Sequence, residues 1–168
     1  MRAPTAGVVI ATVVANEDPE AQGRVEVRFP WLGEDSPTRW ATVATAMAGA
    51  NRGSFVMPEV GDEALVAFEH GDFDHPYIVG FTWNPQHTPP ATDPRERTLR
   101  SLNGHNIRFV DSTESAGDRG ALIIEDGHGN RIVMTNQLIR IISTGHLDIQ
   151  ARSVTIMGRP VNPMVADI

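Results

Sequence analysis

The densest run of chemically capable side chains is Glu69-His70-Gly71-Asp72-Phe73-Asp74-His75. Two carboxylates spaced Asp72-x-Asp74 beside histidines are the beginning of an oxygen cage for calcium. Such a loop needs glycine at its sixth position, where this sequence has Tyr77, and Pro76 stiffens the fifth. The same run suits a tight turn between two strands, and that is the expectation. Three further histidines, His105, His128 and His146, sit at turns, where solvent-facing caps are the default. Threefold symmetry would instead gather three copies of one of them on an axis as a metal or anion site. Glycoside hydrolysis needs two carboxylates held some 5–10 Å apart on a rigid cleft. Asp93 and Glu96 are near in sequence, but they lie in a proline-rich stretch with no cleft-forming residues. No Gly-x-Ser-x-Gly elbow or His-Glu-x-x-His pair occurs. The sequence therefore nominates no catalytic residue, no resident metal and no cofactor.

Composition narrows the chemistry further. Among 168 residues there is no cysteine, which excludes disulfide scaffolds, thiol nucleophiles and Cys-ligated metals. All 14 basic residues are arginines, so a Schiff-base or phosphate-loop lysine is excluded as well. The formal net charge of −7 argues against tracking along nucleic-acid phosphates. The longest apolar stretch, Gly7 to Ala15, is far shorter than the roughly 20 residues of a bilayer-spanning helix. It reads as a first β-strand and not as a signal peptide, because Val8, Val9, Ile10, Val13 and Val14 are β-branched and only Arg2 precedes them as a basic residue.

The elements that must position all this are strands. Short β-branched or aromatic runs alternate with Gly/Pro/Asn/Asp turns at Val8–Ala15, Arg24–Pro30, Arg39–Ala46, Glu63–His70 and Pro76–Thr82. Val25, Val27 and Phe29 alternate with Glu26 and Arg28, the period of a half-buried strand. Ala64 to Phe68 is apolar on both faces and belongs in a closed barrel. Five strands in some 80 residues fit a five-stranded OB-fold barrel over residues 1–83, with Thr45–Ala50 its only helical candidate. Residues 84–98 read as a proline-rich linker.

From residue 99 to 168 the pattern is thinner: Asn106–Val110, Ala121–Glu125, Arg131–Thr135, Leu138–Ser143, Leu147–Ala151 and Val154–Met157, with Phe109 the only aromatic. Narrow layers filled by Ile, Val and Leu suggest a β-helix. About 70 residues of such strands cannot enclose a core of their own. Three copies wound about one axis would enclose it, so the expectation is a homotrimer with Ile124 and Ile141 facing inward.

The ordered set Asp18-Pro19-Glu20, Gly23-Arg24-Val25-Glu26-Val27-Arg28-Phe29-Pro30-Trp31-Leu32, Trp40-Ala41, Pro58-Glu59-Val60-Gly61-Asp62-Glu63 and Pro76-Tyr77-Ile78-Val79-Gly80 closely resembles the OB domain of contractile-tail phage baseplate spikes (baseplate assembly protein V), shared by the valine–glycine repeat proteins of type VI secretion. Gly104-His105-Asn106-Ile107-Arg108-Phe109 and Gly127-His128-Gly129-Asn130-Arg131-Ile132 look like that family's β-helix repeats.

The resemblance implies an all-β protein: an OB-fold collar followed by an intertwined trimeric β-helix needle. It implies location in a virion tail baseplate or a contractile injection particle, a hub protein docked at the collar, and mechanical puncture of the target envelope when the sheath contracts. Three chains at −7 give −21, so attraction to anionic lipid would not assist the transient membrane contact. Some relatives carry a lysozyme domain between barrel and β-helix, but the linker here has no room for one. Others hold iron at the apex through a His-x-His pair, which this sequence lacks. Gly158-Arg159-Pro160-Val161-Asn162-Pro163 should end the β-helix near Gly158. Beyond it Val161, Met164, Val165 and Ile168 form an apolar platform that either docks a Pro-Ala-Ala-Arg-repeat tip protein or folds back to cap the trimer.

The alternative is a free OB-fold binding single-stranded nucleic acid through Trp31, Trp40, Phe55, Phe68 and Tyr77. Glu26, Glu34, Asp35, Glu59, Glu63 and Glu69 are interleaved with those aromatics where a basic groove would be required.

Overall fold

The computed structural model describes residues 7–33, 35–113 and 117–161. Contacts divide the chain into two units, Met1–Pro89 and Pro90–Ile168.

In the first unit β1 (Val8–Ala15), β2 (Arg24–Arg28), β3 (Arg39–Val43), β6 (Glu63–Phe68) and β7 (Pro76–Thr82) close a barrel in the order β1-β2-β3-β7-β6, with β6 returning to β1. All pairs are antiparallel except β3–β7. The two-residue period decides which side chains go inside: Ala11 and Val13, Val25 and Val27, Ala64 and Val66 are fully buried, as are Ala41 and Ile78. Phe29, Phe68 and Phe73 fill the remaining space, with Phe29 5.6 Å and 5.0 Å from the other two ring centroids.

Three strands are shorter than their sequence runs. β2 stops at Arg28 because Phe29 turns into the core and Pro30–Leu32 forms a 3-10 turn. β3 stops at Val43. β6 stops at Phe68, where Glu69–Gly71 winds into a 3-10 turn with His70 left-handed at φ 49°. Thr45–Ala50 is not helical. Instead β4 (Ala48–Gly49) pairs with β5 (Arg52–Gly53) in a small hairpin. A Cβ at Gly53 would lie 2.5 Å from the Met47 carbonyl oxygen, so the hairpin needs that glycine.

The β1–β2 loop is tied by one carboxylate. Asp18 accepts the backbone N–H of Glu20, Gln22 and Arg24, and the Arg24 guanidinium at 2.8 Å and 3.0 Å. The Arg24 guanidinium, more than the backbone donors, holds the Asp18 carboxyl well below the usual carboxylate range. A depressed folded-state pKa stabilises the protein above the unfolded value of about 3.9, and that contribution is lost as pH falls toward the folded value. Asp18→Asn should lower the thermal midpoint at pH 7, with the gap to the parent narrowing as pH drops below about 4. Melting curves at pH 7, 4 and 2.5 measure this, and a constant gap would contradict it.

The stretch read as a linker is partly structured. Asn84 closes a turn by accepting from the N–H of Gln86 and His87, and Asp93 pairs with Arg95 at 2.8 Å, which holds the Asp93 carboxyl down to about 2. β8 already begins at Glu96 and runs to Arg100.

The second unit is an antiparallel meander. β8, β9 (Asn106–Val110), β10 (Ala121–Glu125), β11 (Arg131–Thr135) and β12 (Ile139–Ile142) lie side by side in chain order. Leu147–Ala151 forms no strand, contrary to its alternation. Chain pairing does not end at Gly158 either. Met157 and Gly158, at φ 48° and 76°, make a two-residue turn that returns β14 (Arg159–Pro160) onto β13 (Thr155–Ile156), and Val161 N–H donates to the Val154 carbonyl.

Candidate functional site: an uncovered sheet face

Register decides what the second sheet displays. Leu99 faces Ile107, Ile107 faces Ile124, Ile124 faces Ile132, and Ile132 faces Ile141. Directly opposed residues share a face, so one unbroken apolar row crosses all five strands. The adjacent row on that face is Arg97, Phe109, Leu122, Met134 and Ile139. Arg97 is ion-paired to Asp111, which marks the charged margin of the apolar surface.

The other face alternates out of phase and is the more polar of the two, with Thr98, Arg108, Ile123, Val133 and Arg140 in one row and Arg100, Asn106, Glu125, Arg131 and Ile142 in the next. There Arg108 reaches Glu96 at 3.3 Å and Glu125 at 3.4 Å.

Among the described residues nothing covers the apolar rows. Leu99 is 61% exposed and Ile139 72%, and a hollow of 660 Å³ lies over the Leu99–Ile141 row. Among the described residues of this unit no side chain is buried, whereas the barrel buries its whole core. Apolar surface in this amount is a binding surface or an aggregation hazard. Sequence alone placed Ile124 and Ile141 on one face. It did not reveal the continuous row, because that depends on register between strands far apart in the chain.

The other nominated residues are accounted for locally. Asp72 accepts from Asp74 N–H and pairs with the His75 ring at 3.0 Å, and Asp74 pairs with Arg39 at 2.9 Å. These bonds stitch the turn between β6 and β7, and the Asp72 carboxyl is lowered chiefly by the Asp74 N–H. Among the described residues no group of three potential ligands is poised for a metal. His105 and His128 lie with ring centroids 6.3 Å apart, while the His105 Nδ1 accepts from Gly127 N–H at 3.1 Å. Val161 is half exposed after the β13–β14 hairpin, and Met164, Val165 and Ile168 lie outside the described residues.

Of the aromatics offered to nucleic acid, Trp31, Phe55 and Tyr77 are exposed. Phe68 is in the barrel core and Trp40 lies under the Arg24 guanidinium at 5.7 Å. Residues 1–89 hold 12 of the 21 carboxylates and 5 of the 14 arginines, so the formal −7 sits in the barrel unit and the second unit is neutral. That charge disfavours the nucleic-acid alternative.

The chain thus carries a closed small barrel and, in its second unit, a sheet whose apolar face is uncovered among the described residues. Residues 9–83 match the family described as the type VI secretion system/phage-baseplate injector OB domain. The chain is similar to the type VI secretion system spike protein VgrG3 of Vibrio cholerae, 38% identical over 130 residues, covering 70% of this chain and 13% of that protein. It is similar to the spike protein VgrG2a of Pseudomonas aeruginosa, 36% identical over 110 residues, covering 61% of this chain and 13% of that protein. It also resembles the actin cross-linking toxin VgrG1 of Vibrio cholerae, 29% identical over 160 residues, covering 88% of this chain and 15% of that protein. The chain therefore spans about one seventh of the length of these relatives. The barrel, residues 9–83, belongs to the phage-baseplate and type VI secretion injector OB-domain family, and the chain is similar to type VI secretion spike proteins.

Proposed function

We propose that this chain forms the homotrimeric central spike of a contractile tail or injection particle, with the barrel as collar and the second unit as a β-helical needle. The uncovered row Leu99–Ile107–Ile124–Ile132–Ile141 carries this reading. Three such faces turned toward a common axis bury one another and supply the core that a single copy lacks. Leu147–Ala151, strand-like in sequence but unpaired among the described residues, then finds its partner in a neighbouring copy. The role is mechanical and not enzymatic: on sheath contraction the needle is driven through the target envelope.

The barrel unit, residues 1–89, folds alone, since its apolar residues close on one another. Its electronegative surface serves as the seat for a separate hub protein. The tail from Val161 onward, with Met164, Val165 and Ile168, meets a Pro-Ala-Ala-Arg-type tip protein or caps the needle.

The functional test is deletion of the gene from a particle-producing strain. Tails assembled without the chain should lack central density below the tube in electron micrographs and should fail to permeabilise target cells. Particles of normal appearance and potency would refute the proposal.

A further inference from the structure

Three turns stand at one end of the meander: Ser101–His105 between β8 and β9, Asp126–Asn130 between β10 and β11, and Ser143–His146 after β12. Each is fastened to the next by one backbone N–H received by a side chain. Thr144 N–H donates to Asn130 Oδ1 at 2.8 Å, which joins the second and third turns. Gly127 N–H donates to His105 Nδ1 at 3.1 Å, which joins the first and second. The fasteners differ in chemistry and in number of bonds, since Thr144 Oγ1 also donates to Asn130 Oδ1 at 3.1 Å and to the His128 carbonyl at 3.5 Å. An amide oxygen accepts at any pH, whereas an imidazole nitrogen accepts only while it carries no proton.

The contact at Gly127 is close and made for this bond. A Cβ there would lie 2.3 Å from the Asn103 carbonyl oxygen, so only glycine lets the two turns approach. Protonation of His105 turns its acceptor into a second donor and sets a cation against the Gly127 N–H. The His128 ring, with its centroid 6.3 Å away, adds like charge when it too carries a second proton.

The other charged groups around His105 are known. Arg100 lies at the first turn, its guanidinium 3.7 Å from the position of a Gly104 Cβ, and Arg131 and His146 border the same hollow as His105. These oppose a proton there, whereas Glu125 and Asp126, on the same hollow, favour it. The Asp126 carboxyl is held below its ordinary range, first by the Asn130 side chain.

We propose that the His105–Gly127 bond is a pH-sensitive fastener, which opens the β8–β9 turn from the β10–β11 turn on acidification while the Asn130–Thr144 fastener holds. It gives this end of the sheet one labile joint and one permanent joint.

The test is amide hydrogen exchange on the full chain at pH 8 and pH 5, corrected for intrinsic rates and resolved at Gly127 and Thr144. Protection at Gly127 should fall about fivefold between the two, the scale of one net neutral hydrogen bond. Protection at Thr144 should not change. In His105→Asn, whose Oδ1 stands where the ring Nδ1 stood, Gly127 should keep its protection at both pH values. Equal loss at Gly127 in the parent and His105→Asn, parallel loss at Thr144, or a pH-independent Gly127 would each overturn the proposal. If His105→Asn fails to fold, the contrast between Gly127 and Thr144 in the parent decides alone.

Discussion

Ile124→Asp is expected to abolish assembly and leave a chain that cannot form a trimer at any workable concentration. Ile124 is the centre of the row, opposed by Ile107 on one side and Ile132 on the other. In an assembly with this face inward, the variant forfeits about 1.5–3 kcal/mol of apolar burial per copy. It also places three carboxylates at one level with no cation on that row, and unpaired burial of charge costs more than the marginal stability of a typical fold. Ile141→Asp, at the end of the same row, should act in the same direction. Arg140→Asp, one residue away on the polar face, serves as the control and should leave assembly intact. Size-exclusion profiles with in-line mass measurement distinguish these results. Normal assembly of Ile124→Asp would show that the inward face has been assigned wrongly.

Phe29→Ala should have the largest effect on the barrel. Its ring is fully buried and packs against Phe68, Phe73 and Trp31 at 5.6, 5.0 and 6.3 Å between centroids. Truncation leaves a cavity bounded by the rings of Phe68 on β6, Trp31 in the 3-10 turn and Phe73 in the β6–β7 turn. Such changes destabilise by about 3–5 kcal/mol. Denaturant unfolding of residues 1–89 should show a midpoint shift of that size, with the slope unchanged. A change below about 1 kcal/mol would mean that the aromatic cluster is not the barrel's keystone.

Much of this architecture is legible in the residues. β1, β7, β9, β10 and β11 have the bounds that alternation and flanking turns suggest, because their β-branched runs are interrupted by Gly, Asn, Asp or Pro at each end. β8 is not legible. Glu96-Arg97-Thr98-Leu99-Arg100 carries three charges and is held as a strand by its pairing with β9, a tertiary effect. Leu147–Ala151 fails in the opposite sense: its alternation is good, but a strand needs a partner and the described residues provide none. The 3-10 turns at Pro30–Leu32 and Glu69–Gly71 cut two strands short, where proline or a left-handed His70 leaves the extended region.

The candidate site divides the same way. Ile124 and Ile141 were recognisable as apolar positions in strands, but Leu99 sits in a strand that charge conceals, and the row emerges only when all five registers are known. The turn reading of Glu69–His75 was available from Tyr77 standing where a calcium loop needs glycine. The Met157–Gly158 reversal was not, since Met is seldom left-handed and Pro160 argues against pairing.

The central claim is that the second unit has no core except the one three copies make together. Mass measurement by light scattering at micromolar concentration tests it most directly. A single species of about 55 kDa is expected, three times the 18.3 kDa of one chain and unchanged on tenfold dilution. A folded species at 18.3 kDa, with the Leu99–Ile141 row still open to water, would contradict it.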